Sequence, residues 1–237
     1  MREKTRRAKR KQKRNIFIIL ILALVSVMFI SNLFWMYKIS KLSDKLWKAE
    51  LRIESLDAQV QKVGEYMKVV EELVKVGKDK LTPHQITEMA KIIVNYSEQH
   101  SDIGLSPAII FAVMQKESNF NPVAISSAKA YGLMQVLKST AYPIMDKLGY
   151  ERSENNLLDP IINLKVGIEY LIQMKKLWLA EKVETPEDWK ITFHSYFWGE
   201  RWTRKLLYSG KRVDVPSLEY GAGVQKLVNS WMEKGLW

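Results

Sequence analysis

Apolar and polar positions follow different patterns in successive segments of the chain. Residues 16–37 form an apolar run without a charged side chain, and 22 residues in a helix span about 33 Å, enough to cross a bilayer. Trp35 and Tyr37 lie near its end, where aromatic side chains favour a membrane interface. A cleaved signal peptide is the alternative, but its apolar core would be about 7–15 residues long and followed by small residues. The pattern therefore favours one uncleaved transmembrane helix.

Residues 38–81 predict a long helical stalk. Apolar or small side chains recur there at alternating steps of four and three, the 3.5-residue repeat that is typical of a coiled-coil seam. β-Branched residues occupy several a positions, which favours two parallel strands. The seam consists of Leu42, Leu46, Ala49, Ile53, Leu56, Val60, Val63, Met67, Val70 and Val74.

Charged residues beside this seam fit a parallel homodimer. Lys45 with Glu50, and Arg52 with Asp57, are pairs of opposite sign at g and e positions, as two parallel strands would use. The alternative is a single amphipathic helix that packs against its own folded domain. The sequence leaves both arrangements open.

A helical domain is expected over residues 82–237. Thr82, Pro83 and Gln85 combine an N-cap, a first-turn proline and a capping-box glutamine. No Asn-Gly or Asp-Gly hairpin signal occurs in this part of the sequence, so the fold class is mainly α. Further helix starts are expected at Ser106-Pro107, Asp159-Pro160 and Thr185-Pro186, with helices also near residues 140–148, 201–209 and 217–233.

The net charge of +11 is concentrated at the N-terminus. Residues 1–14 hold nine Lys and Arg against one Glu, whereas residues 82–237 hold 18 basic and 17 acidic side chains. The positive charge therefore belongs to a tail, residues 1–15, and the domain is not expected to bind nucleic acid. The tail itself could bind nucleic acid or anionic lipid. Cysteine is absent, which excludes disulfides and thiol nucleophiles.

The position of the basic tail predicts the topology of the chain. Basic residues flank the cytoplasmic side of a membrane span, so the N-terminus is expected in the cytoplasm and the residues after Tyr37 outside it. The expected location is a bacterial inner membrane, crossed once, with the domain on the wall side. A membrane of a phage virion is the alternative.

Glu117 is the candidate for acid–base chemistry. A strongly apolar segment, residues 108–114, precedes it, and Asn121-Pro122 follows it, so Glu117 should lie in the last turn of a buried helix. Apolar surroundings and the negative end of a helix both raise the pKa of a carboxyl group. A carboxyl that is protonated near neutral pH can act as a general acid. The alternative is a solvated glutamate at a frayed helix end.

Three ordered blocks of residues carry a family resemblance. The first runs from Glu117-Ser118 to Ser126, the second is Ala130-x-Gly132-Leu133-Met134-Gln135, and the third continues from Leu158-Asp159-Pro160 through Asn163 and Gly167 to Tyr170. Together they resemble the bacterial lytic transglycosylase domain of the lysozyme superfamily, over roughly residues 84 to 232.

The resemblance implies a lysozyme-like, mainly α fold and a reaction on peptidoglycan glycan strands. In that family one glutamate protonates the glycosidic oxygen and then, as a base, activates the C6 hydroxyl of the sugar, which gives a 1,6-anhydromuramoyl end. By resemblance Glu117 is this acid and base. The residues expected at the substrate are Ser126, Met134, Gln135, Tyr170 and Tyr196. No cofactor is implied.

The sequence also departs from the family. An Ala-Tyr-Asn-x-Gly block is usual near the C-terminus, but here Phe197 follows Tyr196 in place of the asparagine. Stacking of Phe197 or Trp198 on a sugar could compensate, and Tyr196 could instead be a core aromatic residue.

Two other functions stay open. Glu200 could hold a water molecule opposite Glu117, which would make the protein a hydrolysing muramidase, and a domain that only binds the wall is the non-enzymatic alternative. The histidines His84, His100 and His194 lack a metal-ligand spacing, so no catalytic metal is expected.

Overall fold

The computed structural model describes residues 2–185, 187–208 and 219–237. Their regular structure is helical apart from one antiparallel pair of two-residue strands, which confirms the mainly α fold class. The elements are α1 (Arg2–Gly77), α2 (Pro83–Gln99), a 3₁₀ turn (Ser101–Ile103), α3 (Pro107–Ser118), β1 (Ala130–Tyr131), β2 (Val136–Leu137), α4 (Lys138–Leu148), α5 (Glu154–Leu158), α6 (Pro160–Ala180), α7 (Lys190–Trp198), α8 (Glu200–Leu207) and α9 (Glu219–Glu233).

The chain divides into two compact units, Met1–Gln61 and Lys62–Trp237. The first unit is the N-terminal part of α1. The segment Lys9–Gly77 of α1 contains a stretch that is long and apolar enough to cross a membrane, by length and composition. The apolar residues predicted to span the membrane, 16–37, lie in this segment and have solvent-exposed side chains.

The second unit begins at Lys62, upstream of the domain start expected at Thr82. The reason is packing: Val69 and Leu73 of α1 are fully buried in the same hydrophobic core as the helices that follow. The last turns of α1 therefore belong to the folded domain. The expected alternative, an amphipathic helix packed on its own domain, applies to this part of α1.

The coiled-coil seam occupies a different face of α1 from this buried one. Within the second unit, Met67 is 57% exposed, and Val63 and Val74 are also more than half exposed. Val70 is partly buried at the edge of the core. This part of α1 thus carries two apolar faces, and packing on the domain leaves Val63, Met67 and Val74 of the seam exposed.

Two of the predicted helix starts have the expected caps. The Thr82 hydroxyl accepts a hydrogen bond from the Gln85 amide at 3.2 Å, and the Gln85 side chain accepts one from the Thr82 amide at 2.9 Å, completing a capping box. Asp159 accepts bonds from the amides of Ile161 and Ile162, both at 2.9 Å. These contacts satisfy backbone donors that a helix N-terminus otherwise leaves unpaired.

The helix start predicted at Thr185-Pro186 is wrong. Helix α7 begins only at Lys190, and Pro186 lies outside the described residues. Glu184 favours the later start, because its carboxylate accepts hydrogen bonds from the Ile191 and Thr192 amides in the first turn of α7, at 2.5 and 3.0 Å. The helix predicted near residues 201–209 corresponds to α8, and the helix predicted near residues 217–233 corresponds to α9. Residues 209, 217 and 218 are not among those described.

An aromatic cluster joins α3 to α9 and so positions the site. The ring centroid of Phe111 lies 5.1 Å from that of Trp231 and 5.8 Å from that of Phe120. The Trp231 indole also donates to the Gln115 side chain at 2.8 Å. Because α3 and α9 pack against each other, residues distant in sequence come together at one end of this pair.

Candidate active site

Glu117 lies in the last turn of α3, as expected from the sequence. The helix ends at Ser118 because Asn119 adopts a left-handed conformation, with φ of 49°, and its amide bonds to the Gln115 carbonyl at 3.1 Å. The helix thus stops before Asn121-Pro122, which was expected to end it. The Ser118 hydroxyl donates to the Leu133 carbonyl at 2.8 Å and ties this helix end to the following turn.

The carboxyl group of Glu117 faces a cleft of about 730 Å³. Burial raises its pKa to about 7, while a hydrogen bond from the Tyr220 hydroxyl and the charge of Lys116 lower it in part. Near neutral pH a substantial fraction of the group is therefore protonated. This is the state that a general acid requires.

Four of the residues expected at the substrate line the same cleft as Glu117, namely Ser126, Gln135, Tyr170 and Tyr196. They come from the loop after α3, the turn before β2, and helices α6 and α7. The structure therefore brings together hydroxyl, amide and aromatic side chains around one carboxyl group.

Met134 is placed differently. Its side chain is fully buried, and its carbonyl accepts a hydrogen bond from the Tyr196 hydroxyl at 2.7 Å. A Cβ atom at Gly167 would lie 2.4 Å from the Cβ atom of Met134, so glycine is needed for this packing against α6. Met134 thus shapes the cleft through its backbone, and its side chain does not line it.

Gln135 closes a tight turn between β1 and β2. Its side-chain amide donates to the carbonyls of Ala124 at 3.1 Å and Gly132 at 2.9 Å. Gly132 has φ of +72°, and an added Cβ atom would lie 2.4 Å from the Asn163 side chain, so glycine is required for both reasons.

Asn163 holds the same turn from α6. Its side chain accepts from the Met134 amide and donates to the carbonyls of Tyr131 and Leu157, all at 2.8 Å. The residue is completely buried, so these three bonds satisfy groups that cannot reach water. The position of Gln135 in the cleft depends on this network.

Tyr196 combines both roles considered for it. It is buried and its hydroxyl is bonded to the Met134 carbonyl, yet its ring also lines the cleft. Its ring centroid lies 5.0 Å from that of Tyr170. Burial and the nearby charge of Glu117 raise the pKa of Tyr196, so the phenol stays protonated.

Tyr220 is the site residue that the sequence did not indicate. It lies in the first turn of α9, and its hydroxyl donates to Glu117. The ring of Phe197 stacks on it, with centroids 4.4 Å apart and planes 17° apart. The residue that replaces the usual asparagine therefore contacts the partner of Glu117.

Glu200 does not line the cleft, although its negative charge helps to raise the pKa of Tyr170, which does. It forms an ion pair with Arg204 one turn along α8, at 2.7 Å, and its side chain is 45% exposed. Among the described residues that line the cleft, Glu117 is the one carboxylic acid. These features define a helical domain suited to general acid–base chemistry by a single carboxyl group.

Comparison with known families agrees with this description. Residues 95–212 match the model of the Transglycosylase SLT domain, so the chain carries a domain of this family. The resemblance inferred from the sequence blocks is thereby confirmed. The match includes Glu117 and the described cleft residues other than Tyr220.

Curated relatives share the same region. Over 143 residues the chain is 35% identical to membrane-bound lytic murein transglycosylase C of Salmonella arizonae, an alignment that covers 58% of this chain and 39% of the relative. A protein of the same name from Mannheimia succiniciproducens is 42% identical over 80 residues, which cover 32% of this chain and 22% of the relative. The chain thus spans less than half the length of these relatives.

Two solved structures are also similar. The inactive mutant of the lytic transglycosylase Slt from Pseudomonas aeruginosa aligns with a TM-score of 0.49 and 21% identity, over 63% of this chain and 25% of that one. The 70 kDa soluble lytic transglycosylase from Escherichia coli aligns with a TM-score of 0.45 and 20% identity, over 62% and 28% of the two chains.

Proposed function

We propose that this protein is a membrane-anchored peptidoglycan lytic transglycosylase that cleaves the β-1,4 bond between MurNAc and GlcNAc. The observation that carries the proposal is the carboxyl group of Glu117, whose pKa is raised to about 7 in a cleft of an SLT domain. Relatives named lytic murein transglycosylases support the choice of substrate.

Glu117 would act twice in one turnover. As an acid it donates its proton to the glycosidic oxygen, the bond from that oxygen to C1 of MurNAc breaks, and positive charge develops at C1. As a carboxylate it then removes the proton of the C6 hydroxyl of the same sugar, and O6 bonds to C1. The glutamate is regenerated as the acid, the product carries a 1,6-anhydro ring, and no water is consumed.

The surroundings of Glu117 support both halves of this cycle. Burial favours the protonated acid before cleavage, whereas the Tyr220 hydroxyl stabilises the carboxylate that is left after the proton transfer. Hydrolysis by a second carboxylate would need an acidic group across the cleft. Glu200 is turned to Arg204 and does not line it.

Replacing Glu117 by glutamine tests the assignment. Glu117→Gln keeps the shape of the side chain and removes its titratable proton, so the rate of glycan cleavage should fall by roughly 10²–10⁴ or more, because one residue serves both steps. Glu200→Gln is the matched control and should retain most of the activity. Binding to peptidoglycan should persist in both variants.

Mass spectrometry of the released fragments distinguishes the other functions. Anhydro ends, which are lighter than reducing ends by one water, are expected. Reducing ends that carry oxygen from labelled water would indicate a muramidase instead. Wild-type protein that binds the wall and releases no fragments would support a non-catalytic binding protein.

We also propose the topology that the charge pattern predicts, with residues 1–15 in the cytoplasm, residues 16–37 across the membrane and the domain on the outer side. A reporter that functions only outside the cytoplasm should be active when it is fused after Trp237. Activity of a cytoplasm-only reporter at the same position would contradict this orientation.

The exposed seam of α1 supports a parallel homodimer. Leu56 occupies a d position of the repeat and Ala58 the opposite face, and both side chains are exposed in the single chain. Because the protein lacks cysteine, Leu56→Cys should form a disulfide with a second copy under mild oxidation, and Ala58→Cys should not. Equal crosslinking of the two variants, or none, would argue against the dimer.

A further inference from the structure

A second groove lies beside the catalytic cleft. It has a volume of about 470 Å³, and three of the aromatic residues that line it, Phe197, Trp198 and Trp202, are more than half exposed. They lie at the end of α7 and in the first turn of α8. Exposed clusters of large apolar side chains are uncommon on a protein surface and usually mark a binding site.

The groove is continuous with the cleft that contains Glu117. Phe197, Trp198 and Tyr220 line both, whereas Trp202 lines only the groove. A polymer that lies over Glu117 and passes Tyr220 would therefore reach Trp202. This continuity, rather than apolar character alone, indicates which ligand the groove would take.

The lining suits a chain of sugar rings. A pyranose presents a face of C–H groups, which packs on a flat aromatic ring, and an edge of hydroxyl and amide groups, which needs polar partners. The indoles of Trp198 and Trp202 are 55% and 61% exposed and offer such flat surfaces. Glu219, at the start of α9, adds an acceptor to the lining for the polar edge.

Trp202 also has a cationic neighbour. The ammonium group of Lys205 lies 5.0 Å from the Trp202 ring centroid, close enough for a cation–π contact. Lys205 covers one face of the indole, so a sugar would pack on the other.

We propose that this groove is an additional sugar subsite, which holds the part of an N-acetylated glycan strand that extends beyond the catalytic cleft. The proposal rests on the proposed function, because the glycan must first occupy the cleft. In this subsite Trp202 increases the affinity for long strands and does not take part in the chemistry at Glu117.

The test measures how affinity depends on ligand length. The full chain in detergent, with Glu117→Gln to prevent turnover, is titrated with β-1,4-linked N-acetylglucosamine oligosaccharides of increasing length. Affinity should rise when the ligand becomes long enough to reach the groove. Trp202→Ala should remove this gain, lowering affinity for long oligosaccharides roughly threefold to tenfold and leaving that for short ones unchanged.

Two variants serve as controls. Trp237→Ala removes another exposed tryptophan, 71% exposed and not among the residues that line either cavity, and should keep the full gain. Trp202→Tyr retains an aromatic face and should keep most of it. Binding that does not depend on length, or an undiminished gain in Trp202→Ala, would overturn the subsite alone. No binding of any oligosaccharide would also overturn the subsite, whereas the proposed function is tested separately by the anhydro ends released from peptidoglycan.

Discussion

The Tyr220 hydroxyl donates a hydrogen bond to the carboxyl group of Glu117, although 103 positions separate the two residues. Glu117 ends α3 and Tyr220 begins α9, and the aromatic packing around Trp231 holds these helices together. The bond stabilises the ionised form of Glu117 and offsets part of the rise in pKa that burial causes. Tyr220 therefore lowers the pH at which Glu117 ionises, although burial has the larger effect.

Removing this hydroxyl should change the pH dependence of cleavage. Activity that needs protonated Glu117 declines as pH rises through its pKa, which is about 7. Tyr220→Phe removes a contact that lowers this pKa, so the declining limb of the pH–rate profile should move to higher pH. The profile of kcat/KM against pH measures the shift.

Tyr208→Phe is the matched control for this prediction. Tyr208 also donates to a glutamate, Glu181, at 2.9 Å, but it does so on the exposed surface. Its replacement should leave the profile unchanged. A limb that stays in place in Tyr220→Phe, or moves to lower pH, would show that the hydroxyl does not stabilise the ionised carboxyl group.

Phe197 should act on the same equilibrium through Tyr220. Its ring stacks on that of Tyr220 at 4.4 Å and restricts the orientation of the phenol. Phe197→Ala should therefore move the declining limb of the pH–rate profile to higher pH, by less than Tyr220→Phe does. In Phe197→Tyr the limb should stay at its wild-type position. Combined with Tyr220→Phe, the alanine substitution should add no further shift. Additive shifts would mean that Phe197 acts independently of Tyr220.

The location of Glu117 could be predicted because its signals are local. An apolar segment, a helix start at Ser106-Pro107 and the adjoining motif all lie within a short stretch of sequence. The contact with Tyr220 could not be predicted in this way. It depends on how α9 packs against α3, and nothing in the sequence around Tyr220 distinguishes it from other aromatic residues on a helix.

The sequence left open whether the helix after residue 38 packs on its own domain, for a related reason. In α1 the residues of the coiled-coil seam and the buried residues Val69 and Leu73 occupy different faces of one helix. The unbroken repeat of the seam obscured the shorter apolar face beside it. One helix can carry both patterns, because the spacing of its apolar residues does not specify what each face packs against.

The buried network of Asn163 should dominate the stability of the turn before β2. Asn163→Leu keeps a similar volume but leaves the Met134 amide and two carbonyls without partners in the interior. The expected loss is about 3 kcal/mol or more in the free energy of unfolding, measured by chemical denaturation. Asn229→Leu, at an exposed position of α9, should change it by less than about 0.5 kcal/mol.

The raised pKa of Glu117 should also appear in the pH dependence of stability. Between its ordinary pKa near 4.5 and the folded value of about 7, the folded state retains a proton that the unfolded state releases. The contribution of Glu117 to stability is therefore lost as pH rises through this window.

Glu117→Gln cannot ionise and avoids that loss. Its stability relative to the wild type should rise from near zero at about pH 4 to at most about 3 kcal/mol at about pH 8. Glu88→Gln should show the opposite sign, because Lys91 holds the pKa of Glu88 below its usual value and stabilises the wild type at higher pH. Denaturation of the three proteins across this pH range measures both differences. A Glu117→Gln difference that does not change with pH would show that Glu117 titrates in the folded protein as it does in the unfolded chain.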